Sequence, residues 1–278
     1  MKPYCSKYLL LLSFFFAAIA SHAQNIDEDE GILSPGGYNR LLGVGVGATY
    51  RSFLDQGLSN LTYRKPGATV YLENLKTDDM KFTDLSIQAS YLTMQRKTND
   101  LTPGEAKSFK GVIDYRHTYK INVLNENVYD VRLGAVLSGL VDIRNMPQLN
   151  YSAQSYEHAF SLGFHGKIAR SKNMNSRNGS IIWDLSIPFV SEIGRPPYNN
   201  TNGEYDPSYK PLKGFFGKDE IATFGKFFRI TSRVHWQYPL KNGNKIRFSY
   251  TWDYYKMKGA TTVYSAEHTL TAAFLLNY

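Results

Sequence analysis

The sequence predicts an all-β protein, a transmembrane antiparallel up-and-down β-barrel of about ten strands, or twelve if two outer segments pair. Three observations carry this. Apolar and polar residues alternate strictly through most of the chain, the period of a strand with one greasy face. The alternating stretches run longer than the five or six residues usual in soluble sheets, and reach the roughly 9 to 11 that a tilted strand needs to cross a bilayer. The connections alternate between short and long, as in barrels with tight turns on one side and large loops on the other.

The strands follow in order. Leu42, Val44, Val46, Ala48 and Tyr50 alternate with three glycines, Thr49 and Arg51. Ala68, Val70 and Leu72 oppose Thr69, Tyr71 and Glu73. Leu85 to Tyr91 alternates with Asp84, Ser86, Gln88 and Ser90. Ile113, Tyr115, His117 and Tyr119 oppose Asp114, Arg116 and Lys120. Tyr129, Val131, Leu133, Ala135 and Leu137 oppose Asp130, Arg132 and Ser138, and the pattern runs on to Asp142 and Arg144. Phe160, Leu162, Phe164 and Ile168 face away from Glu157, His165 and Lys167. Ile181, Trp183, Leu185, Ile187 and Phe189 oppose Asp184 and Ser186. Phe228 to Tyr238 opposes Arg229, Arg233 and His235. Ile246 to Tyr254 opposes Arg247, Ser249 and Asp253. Leu270 to Tyr278 opposes Thr269, Thr271 and Asn277.

A soluble sandwich also alternates, but with its greasy face inward. Here the apolar phase is nearly free of charge while the polar phase is crowded with ions. That is the inverted arrangement of a membrane barrel, apolar outside and polar within.

Outer connections are expected at Ser52–Pro66, Lys97–Lys107, Asn145–Asn150, Val190–Ile221 and Met257–Thr262. Inner ones are expected at Asn74–Met80, Leu124–Asn127, Ser171–Asn178 and Lys241–Gly243. Asn242-Gly243 is a hairpin signal, with Gly in the left-handed position of a three-residue loop.

The N-terminus reads as an export signal. Lys2 and Lys7 precede an apolar run from Tyr8 to Ala20, and Ser21-His22-Ala23 places small residues where a signal peptidase reads. Cleavage after Ala23 removes both lysines and takes the formal charge from +8 to +6. It also removes Cys5, the one cysteine, and with it thiol catalysis and thiolate metal sites. Residues 24–40 form a lead-in, acidic at Asp27 to Glu30, and 41–278 form the barrel with a long external loop at 190–221. No Lys/Arg tract suggests nucleic acid.

Aromatic residues gather at strand ends in the outward phase: Tyr50, Trp252 and Tyr254 toward one rim, Trp236, Tyr238 and Tyr278 toward the other. Rings with an apolar body and a polar edge suit the headgroup boundary.

The last strand, HTLTAAFLLNY, ends in an aromatic with apolar residues at every second position. It resembles the C-terminal signal of Gram-negative outer-membrane β-barrel proteins. The resemblance covers Leu42 to Tyr278 at the level of architecture. It implies an outer-membrane location, contact with outer-membrane lipid and the barrel-assembly machinery as a partner during biogenesis; an envelope protein complex is a further candidate partner.

No catalytic, cofactor or metal site emerges. An omptin-like protease would need an inward His beside an inward Asp near the outer mouth, whereas His165 and His235 fall lower. Phospholipase-like chemistry on the lipid face has no His-x-Ser motif to rest on. The histidines have no ligand spacing. Gly43-x-Gly45-x-Gly47 lies inside a strand and opens no helix, so it reads as tight lumen packing.

The lumen is the informative constellation. Inward acids are Glu73, Asp84, Asp114, Asp130, Asp142, Glu157, Asp184, Asp253 and Glu267. Inward bases are Arg51, Arg116, Lys120, Arg132, Arg144, Lys167, Arg229, Arg233, Lys245 and Arg247. Charges facing a narrow interior must be paired or hydrated. Near balance favours a charge network that plugs the barrel, with Asp253 reaching Arg233, over a conducting ring of one sign. The expected role is therefore non-enzymatic: structural or accessory, or a narrow channel. The alternatives are a barrel enzyme and a surface binder using Arg195 to Asn200 and Tyr205 to Tyr209 of the long loop.

Overall fold

The computed structural model describes residues 39–57, 59–95, 105–121, 129–146, 154–170, 179–195, 219–259 and 261–278. The export signal, the lead-in before Asn39, and residues 196–218 of the long loop lie outside them.

Eleven strands form one antiparallel sheet: β1 (Asn39–Asp55), β2 (Ser59–Thr77), β3 (Lys81–Gln95), β4 (Glu105–Lys120), β5 (Tyr129–Asn145), β6 (Gln154–Arg170), β7 (Ser180–Gly194), β8 (Glu220–Thr223), β9 (Phe227–Pro239), β10 (Lys245–Lys258) and β11 (Thr262–Asn277). Each strand from β1 to β8 pairs with the next, β9 pairs with β7 and β10, β10 with β11, and β1 pairs with β11 from Leu41↔Asn277 to Asp55↔Val263, so the sheet closes on itself. A closed sheet leaves no unpaired edge.

The cylinder has ten staves, because β8 and β9 share one. β9 pairs with Ser180 to Ser186 of β7, and β8 with Val190 to Ile193. Pro188, with no N–H to give a ladder, sits in the gap between them. β7 also carries a bulge at Phe189, since Leu162 pairs with Val190 and Gly163 with Pro188. The bulge swaps the phase of the strand's end, so Ile193 is buried inside and Glu192 faces out.

One expected loop is mostly strand, and a second is trimmed at both ends. Ser52–Pro66 is mostly a hairpin in which β1 and β2 stay paired up to Asp55↔Ser59. The long connection begins later and ends earlier than expected, because β7 runs to Gly194 and β8 starts at Glu220. In both places the extra pairing lengthens existing staves, so the count remains ten rather than twelve.

We call the end where β1 begins the lower end. Its β9–β10 turn follows the hairpin logic: Gly243 has φ 81°, and Leu240 N donates to Asn244 O at 2.8 Å. In the β2–β3 turn, Asp78 Oδ1 accepts from Met80 N at 2.8 Å and from Lys81 N. Those backbone donors, Lys81's first, hold its carboxyl below the usual carboxylate range.

The exterior is apolar. Val46, Phe164 and Leu270 are more than 60% exposed, and Leu133, Leu137 and Phe248 about half exposed. In water this surface would be far larger than any ordinary apolar patch. The glycines of β1 point inward. A Cβ at Gly43 would run into the Glu73 side chain, and one at Gly47 into the Leu270 carbonyl of β11. Their absence lets β1 and β11 approach closely where the wall bends.

Candidate functional site: the charged lumen

The interior is ionic in the middle and apolar at both ends. At the upper end lie two buried clusters: Leu140, Ile193, Phe227 and Met257 with their neighbours, and Phe53, Tyr63, Leu92, Ala106 and Met146. At the lower end Leu41, Leu75, Phe82 and Leu275 pack together. Alternation places one residue in two on the inner wall, and these apolar members fall on it near the rims.

Between them lies a network that crosses the lumen. Arg51 on β1 donates from Nε to Glu267 at 2.7 Å and from Nη1 to Ser108 at 2.7 Å, and its Nη1 lies 3.3 Å from Asp142 on β5. Arg144 on β5 reaches back to Asp55 on β1 at 2.9 Å and pairs with Glu157. Tyr255 on β10 donates to Asp142 at 2.9 Å. Lys110 on β4 contacts Asp253 on β10 at 2.6 Å and Glu267 on β11 at 3.2 Å. Asp253 also accepts from Arg229 Nε at 2.9 Å and from Thr231 at 2.8 Å. The guanidinium of Arg229 then reaches Ser138 at 2.6 Å, and Ser138 donates to Asp114 at 2.6 Å.

Lower down, Arg116 bridges Asp84 at 2.6 Å and Asp114. Arg247 clasps Glu73, and Arg132 holds Asp130 at 2.9 Å. Arg233 donates to the Tyr71 hydroxyl at 2.8 Å and lies 3.9 Å from Asp114.

The expected Asp253–Arg233 contact does not form. Asp253 sits opposite Thr231, which makes Arg229 and Arg233 equal diagonal neighbours on β9. Asp253 turns to Arg229, on whose side Lys110 arrives from the far wall. Arg233 turns across the lumen to Tyr71.

Of the nineteen inward charges, Asp114, Arg116, Arg132, Asp142, Asp184, Arg229, Arg233, Arg247 and Asp253 are among the sixteen buried inside the barrel, while Lys120, Asp130 and Lys245 are partly exposed. Sequence reasoning missed Lys110, Asp55 and Tyr255. Lys110 has the inward phase, but Gly111 interrupts the greasy face beside it. Asp55 fell in a segment read as loop. Tyr255 follows the outward Tyr254, and only its even or odd position separates them.

Asp184 belongs to a second arrangement. Its Oδ2 lies 2.8 Å from His235 Nε2, and His235 Nδ1 lies 2.8 Å from Ser249 Oγ. This joins β7, β9 and β10 in the lower half, away from the upper mouth where protease-like barrel chemistry was sought. It satisfies both ring nitrogens of a buried histidine. Of the outward histidines, His117 contacts Thr83 and His268 contacts Tyr250, while His158 is wholly buried beside Asp219. No cluster of metal-ligating side chains occurs among the described residues.

The rim aromatics Tyr50, Trp236, Tyr238 and Tyr278 are exposed on the outer face, and Trp252 and Tyr254 are half-buried there. Trp236 stacks on Phe248, and Trp252 on Tyr254.

No family model matches the sequence, and no curated protein matches it significantly. Solved structures do. An outer membrane channel from Pseudomonas putida F1 has 10% identity and a TM-score of 0.41, over 91% of this chain and 100% of that one. The translocator domain of the autotransporter NalP from Neisseria meningitidis has 6% identity and a TM-score of 0.35, over 99% and 98%. The Pseudomonas putida toluene transporter TodX has 8% identity and a TM-score of 0.34, over 88% and 91%. The likeness is one of barrel architecture. It reaches no further.

Proposed function

We propose that this protein is an outer-membrane barrel with a closed lumen, serving as a structural or accessory element of the cell envelope rather than as an enzyme or an open pore. The observation that carries this is the set of ties across the lumen. Lys110–Asp253, Arg51–Asp142 and Arg144–Asp55 each join staves four or five apart, and every partner is buried. An ion entering would have to displace fixed partners rather than pass a ring of one sign.

The membrane location is supported by the inside-out polarity of the wall, the rim aromatics, the expected export signal and the terminal strand. Outer-membrane lipid, the assembly machinery that reads such strands and an envelope complex are the partners this reading implies. It is tested by refolding the purified protein into phospholipid vesicles. The folded form should migrate differently from the boiled form on a denaturing gel and should resist carbonate extraction. Migration unchanged by boiling, with release by carbonate, would refute the membrane reading.

A further inference from the structure

The outer wall carries a feature that a plain lipid-facing surface does not require. A groove of about 520 Å³ crosses the face of β3 to β8. Its floor follows one cross-strand row: Leu85 pairs with Tyr115, Tyr115 with Leu137, Leu137 with Leu162, and Leu162 with Val190. The adjoining row holds Gly139 between Ile113 and Phe160, which lean over it: a Cβ there would come within 2.8 Å of Ile113 Cγ2. The phase change at the Phe189 bulge sets Glu192 at the groove's upper end, on the outer face. Glu192 is exposed, and its charge is felt by the buried His158 imidazole, which Asp219 already contacts at 3.2 Å.

The dimensions are those of one lipid chain. Leu85 is the fifth residue from the lower end of β3, and Val190 the fifth from the upper end of β7. Four interstrand steps of about 4.8 Å give a trough about 19 Å long. Strands tilted by about 35 to 45° incline that row, so it descends about 12 Å, near the half-thickness of a roughly 30 Å hydrocarbon core. One end is charged, at the level of the upper rim, and the rest is apolar. An ionisable group on a lipid-facing wall calls for a partner.

We propose that this groove seats one acyl chain of a phospholipid whose ammonium headgroup pairs with Glu192. The proposal rests on the membrane reading above. A negatively charged rim selects an amine-bearing headgroup and disfavours one with a net negative charge. The bulge and Pro188 supply the site, because without the change of phase Glu192 would point into the lumen.

Native mass spectrometry of the detergent-solubilised full chain, titrated with phosphatidylethanolamine or phosphatidylglycerol, tests this. The wild type should retain one phosphatidylethanolamine at least tenfold more readily than phosphatidylglycerol. Glu192→Gln should abolish that preference, and Val190→Trp, which fills the trough, should reduce retention of both lipids. Both variants lie on the exposed face and should keep the heat-modifiable migration of the wild type. Equal retention of the two lipids by the wild type, a preference that survives Glu192→Gln, or a dimer or foreign protein held in place of lipid would overturn the proposal. Loss of heat-modifiable migration in the wild type would instead refute the membrane reading on which it stands.

Discussion

Lys110 and Asp253 stand on opposite walls of the barrel, five staves apart in either direction, yet Lys110 Nζ lies 2.6 Å from Asp253 Oδ2. Two side chains thus span the whole lumen. Each has a second partner: Lys110 also meets Glu267, and Asp253 also holds Arg229 and Thr231.

Those second partners set the order of the mutational costs. Lys110→Ala leaves Asp253 with Arg229 and should cost less than the roughly 3 to 5 kcal/mol of a buried pair broken from one side. Asp253→Ala takes a carboxylate from Lys110 and Arg229 at once, leaving Lys110 with Glu267 and Arg229 with Ser138 and, at 3.9 Å, Asp114, and should cost more than Lys110→Ala. The double variant should be less destabilised than the sum of the two. Urea unfolding in phospholipid vesicles reads all three.

Leu133→Arg and Phe248→Arg place a cation on the lipid-facing wall, where each residue is about half exposed. Each should lose about 2 to 4 kcal/mol if the site lies near the bilayer midplane. Ser138→Arg should also fail, for a different reason. Ser138 is buried and already bonds both Arg229 and Asp114, so an added guanidinium there has no room and sits beside a like charge. Refolding yield on the heat-modifiability gel separates these from neutral changes.

Glycines on the two faces should behave oppositely. Gly47→Ala drives a Cβ into the Leu270 carbonyl and should weaken closure of β1 on β11. Gly111→Ala meets nothing nearer than the Phe109 ring at 3.8 Å and should fall within about ±0.5 kcal/mol. Refolding midpoints of the two variants provide the comparison.

The Asp78 turn should respond to acid. Its carboxyl titrates below the usual range because the ionised form accepts from the Lys81 and Met80 amides. The stabilisation is present above the ordinary carboxylate pKa and is lost as pH falls through the lowered one. Intrinsic-rate-corrected amide exchange at Met80 and Lys81 should show protection at pH 6 that is lost at strongly acidic pH. Asp78→Ala should show no such pH dependence.

Period-two alternation made the barrel legible, because a one-residue slip would turn every greasy side chain inward. The Gly243 turn was legible for the same kind of local reason. The pairing inside the lumen was not. Phase states that Asp253 faces inward, but it cannot choose between two diagonal arginines, nor place Lys110 within reach from the opposite wall. That choice depends on how far the cylinder closes and on what fills it. Phe189 shows the same limit: an extra residue in a strand is invisible to alternation until the partner strand fixes the register.

Conductance across a planar bilayer tests the closed-lumen account most directly. Reconstituted wild-type protein, confirmed as folded by its migration, should show no steady conductance above the bare membrane under an applied voltage of either sign. A large, stable, ion-selective conductance in the wild type would contradict the account, since ions would then be passing through the space that Lys110 and Asp253 bridge.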